Sequence, residues 1–100
     1  MAGQASISTE ILGRYAADAA RGVEGVRELA DSPLPRRHAV RVSGDNGAVR
    51  LELHLVTEWG ASIPEVGRRV QEHVREYLRN MADVEPAAVE VVVDGIGPEP

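Results

Sequence analysis

Any chemistry in this chain would have to come from three histidines, sixteen carboxylates and a few serines, because the 100 residues include no cysteine. Without cysteine there is no disulfide, thiol nucleophile, thiolate-held zinc or cysteine-ligated iron–sulfur cluster. His38, His54 and His73 fall on a loop, the polar face of a strand and a helix. None is spaced i, i+4 from another and no His-Glu-x-x-His run occurs, so the pattern does not support a shared metal site. Ser6, Ser8, Ser32, Ser43 and Ser62 lack the Gly-x-Ser-x-Gly elbow that would present one of them as a nucleophile. Neither Gly-x-x-x-x-Gly-Lys nor Gly-x-Gly-x-x-Gly appears, so no phosphate-cradling loop is indicated. The expectation is a non-enzymatic protein with no catalytic, cofactor-binding or metal-binding residues.

Charge narrows the class of partner. The formal net charge is -5, whereas a protein that tracks a phosphate backbone gathers positive charge to displace counterions, so no nucleic-acid partner is expected. Every Lys-or-Arg position is an arginine, which together with abundant Ala, Gly and Val reads as codon usage rather than as a site. Arg68, Arg69, Arg75 and Arg79 nevertheless fall along one helix as a basic strip that suits an acidic partner or anionic headgroups. Interleaved acids give the solvated alternative: Glu65 with Arg69, Arg68 with Glu72 and Glu72 with Arg75. The pair Arg36 and Arg37 reads the same way on its loop.

The elements that position these residues follow from periodicity. Ile11, Leu12, Tyr15, Ala16, Ala19 and Ala20 share one helical face from an N-cap at Ser8 to about Arg21. Gly22 and Gly25 then redirect the chain into a short extended piece over Val26 to Leu29, and the Pro-rich stretch Asp31 to His38 reads as an exposed loop. Val40 and Val42 alternate with polar neighbours before Gly44-Asp45-Asn46-Gly47, a hairpin turn signal. On the returning strand, Val49, Leu51, Leu53 and Leu55 face a core while Arg50, Glu52 and His54 face water. At Val56 the outer face also turns apolar, with Trp59 close behind. Gly60 ends that strand and Ser62-Ile63-Pro64-Glu65 matches a capping box. Val66, Val70, Val74, Tyr77, Leu78 and Met81 then make an amphipathic helix to about Met81. Val89, Val91 and Val93 make a final strand before Gly95.

The order predicts an α+β fold: a two-layer sandwich, helix–hairpin–helix–strand, with both helices on one face of a small mixed sheet. The crossover helix makes the last strand parallel to the hairpin's second strand, with strand order across the sheet left open. A chain of this length supports one core, expected over residues 6–96 with flexible termini at 1–5 and 97–100. With 43% hydrophobic residues but three aromatics, that core is aliphatic. Neither a signal-like start nor an apolar run of about 20 residues is present, so the chain is expected to be cytoplasmic, without direct membrane insertion.

Ile7-Ser8 opening a helix, Val23-Glu24-Gly25-Val26 after it, and Val56-Thr57-Glu58-Trp59-Gly60 running into Ile63-Pro64-Glu65-Val66 together resemble the alkaline shock protein family. The resemblance continues through Val70-Gln71 and the strand Val89 to Ile96, covering about residues 6 to 96. It implies a general or envelope-stress protein of bacteria, held near the membrane by a small membrane-anchored partner, with some members self-assembling into oligomers. The family has no recognised catalytic residues to carry over. Trp59 replaces the family's usual Tyr, Met81-Ala82-Asp83 follows its helix-ending pattern loosely, and the charged tails of many members are missing. Small iron–sulfur assembly domains share the element order but depend on cysteines this chain lacks, which counts against cluster chemistry; the alternative reading is a small α/β nucleic-acid-binding or cluster-assembly-like adaptor domain. The candidate interaction surface is Val56, Trp59, Arg68, Arg69, Arg75 and Arg79.

Overall fold

A computed structural model describes residues 7–30, 39–44 and 48–100. It contains α1 (Thr9–Arg21), β1 (Val26–Leu29), β2 (Val40–Ser43), β3 (Arg50–Thr57), α2 (Ile63–Ala82) and β4 (Ala88–Ile96). The expected loop Asp31 to His38 and the turn tip 45–47 lie outside the described residues.

Everything is organised on β3, which pairs with all three other strands. Its alternation is the sequence pattern made solid: Leu51, Leu53, Leu55 and Thr57 are at most 2% exposed, while Arg50, Glu52, His54 and Val56 lie on the other face. β4 runs parallel along one side, from Arg50 opposite Ala88 to Thr57 opposite Ile96. The other side is shared end to end by two antiparallel strands, β2 against Arg50 to Leu53 and β1 against Leu55 to Thr57. They meet at His54, whose N–H donates to Ala39 O and whose carbonyl accepts from Ala30 N–H, both at 2.8 Å. Ala30, just after β1, and Ala39, just before β2, thus bond to a single residue of β3. The sheet is mixed and three strands wide at any level, an arrangement the sequence left undecided.

Both helices cover the leucine face, α1 over β1 and β2 and α2 over β4. Leu12, Ala16, Ala19 and Ala20 from α1 and Val66, Val70, Val74 and Leu78 from α2 form the second half of the core. The helices also meet through Tyr15 and Tyr77, edge to face with centroids 5.9 Å apart.

The ends of the elements show why they stop where they do. Ser8 Oγ accepts from Ile11 N–H at 3.2 Å, the predicted N-cap. Ser62 Oγ accepts from Glu65 N–H at 3.4 Å, but Glu65 turns its carboxylate to Arg68 at 3.5 Å in place of the reciprocal capping-box bond. α2 ends at Ala82, one residue beyond the reading, with Asp83 in the left-handed region at φ 54°. A short polar side chain tolerates that conformation where glycine is the usual choice. β3 ends at Thr57 rather than running through Trp59, because the chain turns at Gly60 with φ 84°. Gly97, expected within a free terminus, is buried and donates to Thr57 O at 2.7 Å, so backbone pairing outlasts β4 by one residue.

Gly25 is the tightest joint between the layers. Its φ is 97°, and a Cβ there would lie 2.5 Å from Val66 Cγ2 on α2. Gly25→Ala combines a left-handed backbone with a core clash and is expected to cost about 2–3 kcal/mol. Urea unfolding followed by circular dichroism checks this, and a midpoint unchanged from wild type would refute the close approach.

Candidate interaction surface

The sheet face away from the helices is built from the polar half of β3's alternation. Glu52 and His54, two residues apart, project to the same side, and Asp94 reaches them from β4. His54 Nε2 lies 2.7 Å from Glu52 Oε2 and its Nδ1 lies 2.9 Å from Asp94 Oδ2. Both ring nitrogens therefore face carboxylates, which only the doubly protonated imidazolium satisfies as a donor on each side. The Asp94 contact depends on an irregularity in β4: Leu55 pairs with Val93 and Val56 with Gly95, leaving Asp94 as an extra residue.

The surroundings shift both titrations. The hydrogen bond to Glu52 holds the His54 pKa above its ordinary 6.5, partial burial opposes it, and the bond and charge of Asp94 reinforce it. Glu52 is held below its ordinary 4.5, first by the His54 hydrogen bond and further by the charges of His54 and Arg41, which sits opposite it on β2. Desolvation and the Asp94 charge work against that lowering. His54 binds protons more tightly when folded, so its contribution is fully present below its unfolded pKa and is lost as pH rises through the folded one. Glu52's contribution is present above its unfolded pKa and is lost as pH falls through the folded one. The clamp therefore contributes its full stability between the ordinary values of 4.5 for Glu52 and 6.5 for His54, and loses it as pH rises through the raised His54 value or falls through the lowered Glu52 value.

The residues nominated from sequence do not form one surface. Val56 lies on the open sheet face, opposite Gly95 and Glu28. Trp59 is 52% exposed on the turn between β3 and α2. It lines a groove of about 430 Å³ with Arg69 and three acids, Glu24, Glu58 and Glu65. Of the acids, Glu58 is paired with Arg27 at 3.6 Å and Glu65 with Arg68 at 3.5 Å. Arg68 lies around the helix, in a groove beside β4. Arg75 Nη1 donates to Pro86 O at 3.0 Å and Arg79 pairs with Glu85 at 3.2 Å. These contacts replace the expected ladder of Glu65 with Arg69, Arg68 with Glu72 and Glu72 with Arg75. Among the described residues the pairs instead form at i, i+3 or with the α2–β4 connection, where a carbonyl and a carboxylate lie within an arginine's reach. The basic strip is thus largely spent locally, and Trp59 with Arg69 is the pair that the fold keeps together.

Among the described residues, no group of three His, Asp or Glu side chains is arranged to hold a metal ion, and no helix is long and apolar enough to cross a membrane. Sequence reasoning placed His54 on the polar face but missed its partners. Glu52 at i−2 was a legible signal, whereas Asp94 needed the β3–β4 pairing and its bulge.

The clamp makes a measurable prediction. From pH 6 to pH 9 the urea midpoint of the wild type is expected to fall, and His54→Gln should flatten the slope over that interval. Parallel slopes in the two proteins would show that the clamp contributes nothing to stability.

Comparison with known proteins agrees with the architecture. Solved structures of the MamM CTD superpose with a TM-score of 0.59 at 14% identity, covering 88% of this chain and 99% of that one. A manganese form of a MamM CTD variant gives 0.58 at 15% identity, over 88% of this chain and 99% of the other. At this identity the likeness is one of fold. The protein YqhY of Bacillus subtilis (strain 168) is 26% identical over 104 residues, 94% of this chain and 77% of that protein. The family model for alkaline shock protein 23, described by a cell envelope-related function, matches residues 1–98. With that match over nearly its whole length, and the helix–hairpin–helix–strand order behind it, the chain belongs to the alkaline shock protein 23 family.

Proposed function

We propose that this chain is a non-enzymatic scaffold of the envelope-stress response, acting by association with copies of itself or with a small membrane-anchored protein. The observation that carries the reading is Trp59, 52% exposed on a turn fixed by β3 on one side and the capped start of α2 on the other. A large aromatic with only two side-chain torsions loses little entropy on binding and is a common energetic anchor of interfaces. The cell envelope-related description of the family supplies the setting. Glu58 and Glu65 are already paired with Arg27 and Arg68, so the rim around Trp59 and Arg69 carries no excess of free positive charge, and the groove suits a protein partner with an apolar anchor site. The same acids disfavour the alternative of a nucleic-acid-binding adaptor.

The test is Trp59→Ala, with circular dichroism to confirm folding. Association is read as molar mass by light scattering and as recovery of a membrane-anchored protein after crosslinking in the native cells. Loss of at least about tenfold in apparent affinity is expected for an anchor tryptophan. Unchanged association in a folded variant removes Trp59 from the interface, and turnover of a defined substrate by the purified chain would overturn the scaffold reading.

A further inference from the structure

We infer that the free edge of β4 is a slot for one extended strand of a partner protein, with apolar residues facing α2 and basic residues facing the open sheet face. The inference rests on the association reading above and gives it a second surface, away from Trp59.

The backbone of β3 fixes which groups of β4 are free. His54 spends its N–H and carbonyl on Ala39 and Ala30, so even-numbered residues of β3 face β1 and β2 and odd-numbered ones face β4. In the parallel ladder the residues of β4 that answer are Ala88, Glu90 and Val92. Val89 and Val91 accordingly direct their N–H and carbonyl groups away from the sheet. Gln71 Nε2 donates to the Val89 carbonyl at 3.0 Å, as this parity requires. Among the described residues no strand pairs with this edge.

The edge has a ready-made roof. Ile63, Gly67 and Gln71, at i, i+4 and i+8, form the flank of α2 that overhangs it, bounding a groove of about 810 Å³ with Val91 and Val93 below. Ile63 is 39% exposed there, and nothing lies within 4 Å of the position a Cβ on Gly67 would take. A strand laid against β4 would place alternate side chains among Ile63, Gly67, Val91 and Val93.

Charge identifies the occupant. On the opposite face the edge presents Glu90, Val92 and Asp94. Glu90 stands beside Glu52, whose carboxylate is committed to His54, and Glu90 has no ion pair of its own among the described residues. A strand with a cation opposite Glu90 pairs with it, and a second cation near Asp94 meets the net negative charge that one imidazolium leaves on the Glu52–His54–Asp94 cluster, whereas an acidic strand is repelled by both. A second copy paired edge to edge on the same face fits poorly. α2 lies over β4, so two such helices would sit over adjacent strands, about 5 Å apart, where helix axes need about 8–10 Å. A segment without its own helix meets no such obstacle.

The test is fluorescence anisotropy of two labelled peptides, Arg-Val-Thr-Val-Arg-Val and Glu-Val-Thr-Val-Glu-Val, titrated with the full chain. The basic peptide is expected to bind roughly fivefold or more tightly than the acidic one, as two exposed cross-strand ion pairs allow. Glu90→Arg should narrow or invert that preference. Val91→Pro removes a donor on the free edge while sparing the β3 ladder, and should abolish binding of both peptides. The basic peptide N-methylated at its central valine and threonine makes the same test without altering the protein. Equal binding of the two peptides, or full binding of the N-methylated one, overturns the slot. So does a light-scattering dimer that β4-edge substitutions dissolve. Failure here with Trp59-dependent association intact defeats the slot alone; loss of that association as well defeats the scaffold reading.

Discussion

The fold hangs on β3. A strand offers two edges and two faces, and this one uses all four: β4 on one edge, β1 and β2 sharing the other, the helices on one face and the His54 clamp on the other. Because side chains and backbone groups both alternate with a period of two, a slip of one residue would expose Leu51, Leu53 and Leu55 and bury Glu52 and His54. The register is therefore enforced from every side at once. The junction at His54 shows how economically the second edge is filled. Ala30 and Ala39 each contribute one hydrogen bond to the same residue, so β1 and β2 abut at one point of the ladder.

The other layer follows from the shortage of aromatics. Ala16, Ala19 and Ala20 are at most 1% exposed, and their small side chains let α1 approach the sheet closely. The valines of α2 fill the facing half of the core. Such a core is thin, and with two helices available only one sheet face can be covered. The bare face cannot be stabilised by apolar burial, so the cross-strand tie between β3 and β4 there is electrostatic. A histidine between two carboxylates donates to both only while it is protonated, which makes the attachment of β4 on that face sensitive to pH in a way the leucine face is not.

Much of this was legible because it is periodic. The leucine alternation of β3, the valine stripe of α2, the Ser8 and Ser62 caps and the parallel relation of β3 and β4 all follow from local spacing and an unbroken crossover. Strand order did not, since nothing near Val26 to Leu29 says that it lies end to end with Val40 to Ser43. That arrangement is decided by hydrogen bonds to a residue 24 positions beyond Ala30. The α2 arginines were misassigned for a related reason. Helical spacing names the neighbours on the helix, but Arg75 and Arg79 found better partners in Pro86 O and Glu85, on a connection whose path the sequence left undetermined. Trp59 and Arg69 came together because turn and helix start are contiguous in sequence, while Val56 was separated from them once β3 ended at Thr57.

The extra residue in β4 connects the two features of the open face. Placing Asp94 out of register brings its carboxylate to His54, and it also changes the parity of the strand, since Gly95 and Gly97 rather than even-numbered residues now answer β3. The outward-facing backbone run is thereby confined to Val89 through Val93. Gln71 closes it at one end and the bulge at the other. Long exposed edges invite indiscriminate pairing, and bulges, caps and charges are the usual safeguards. Here the safeguards leave a short gap rather than none, bordered by Glu90 on one face and roofed by Gly67 on the other. An edge meant only to be blunted would gain from a bulkier residue than glycine at that point of α2, where nothing occupies the space a Cβ would take.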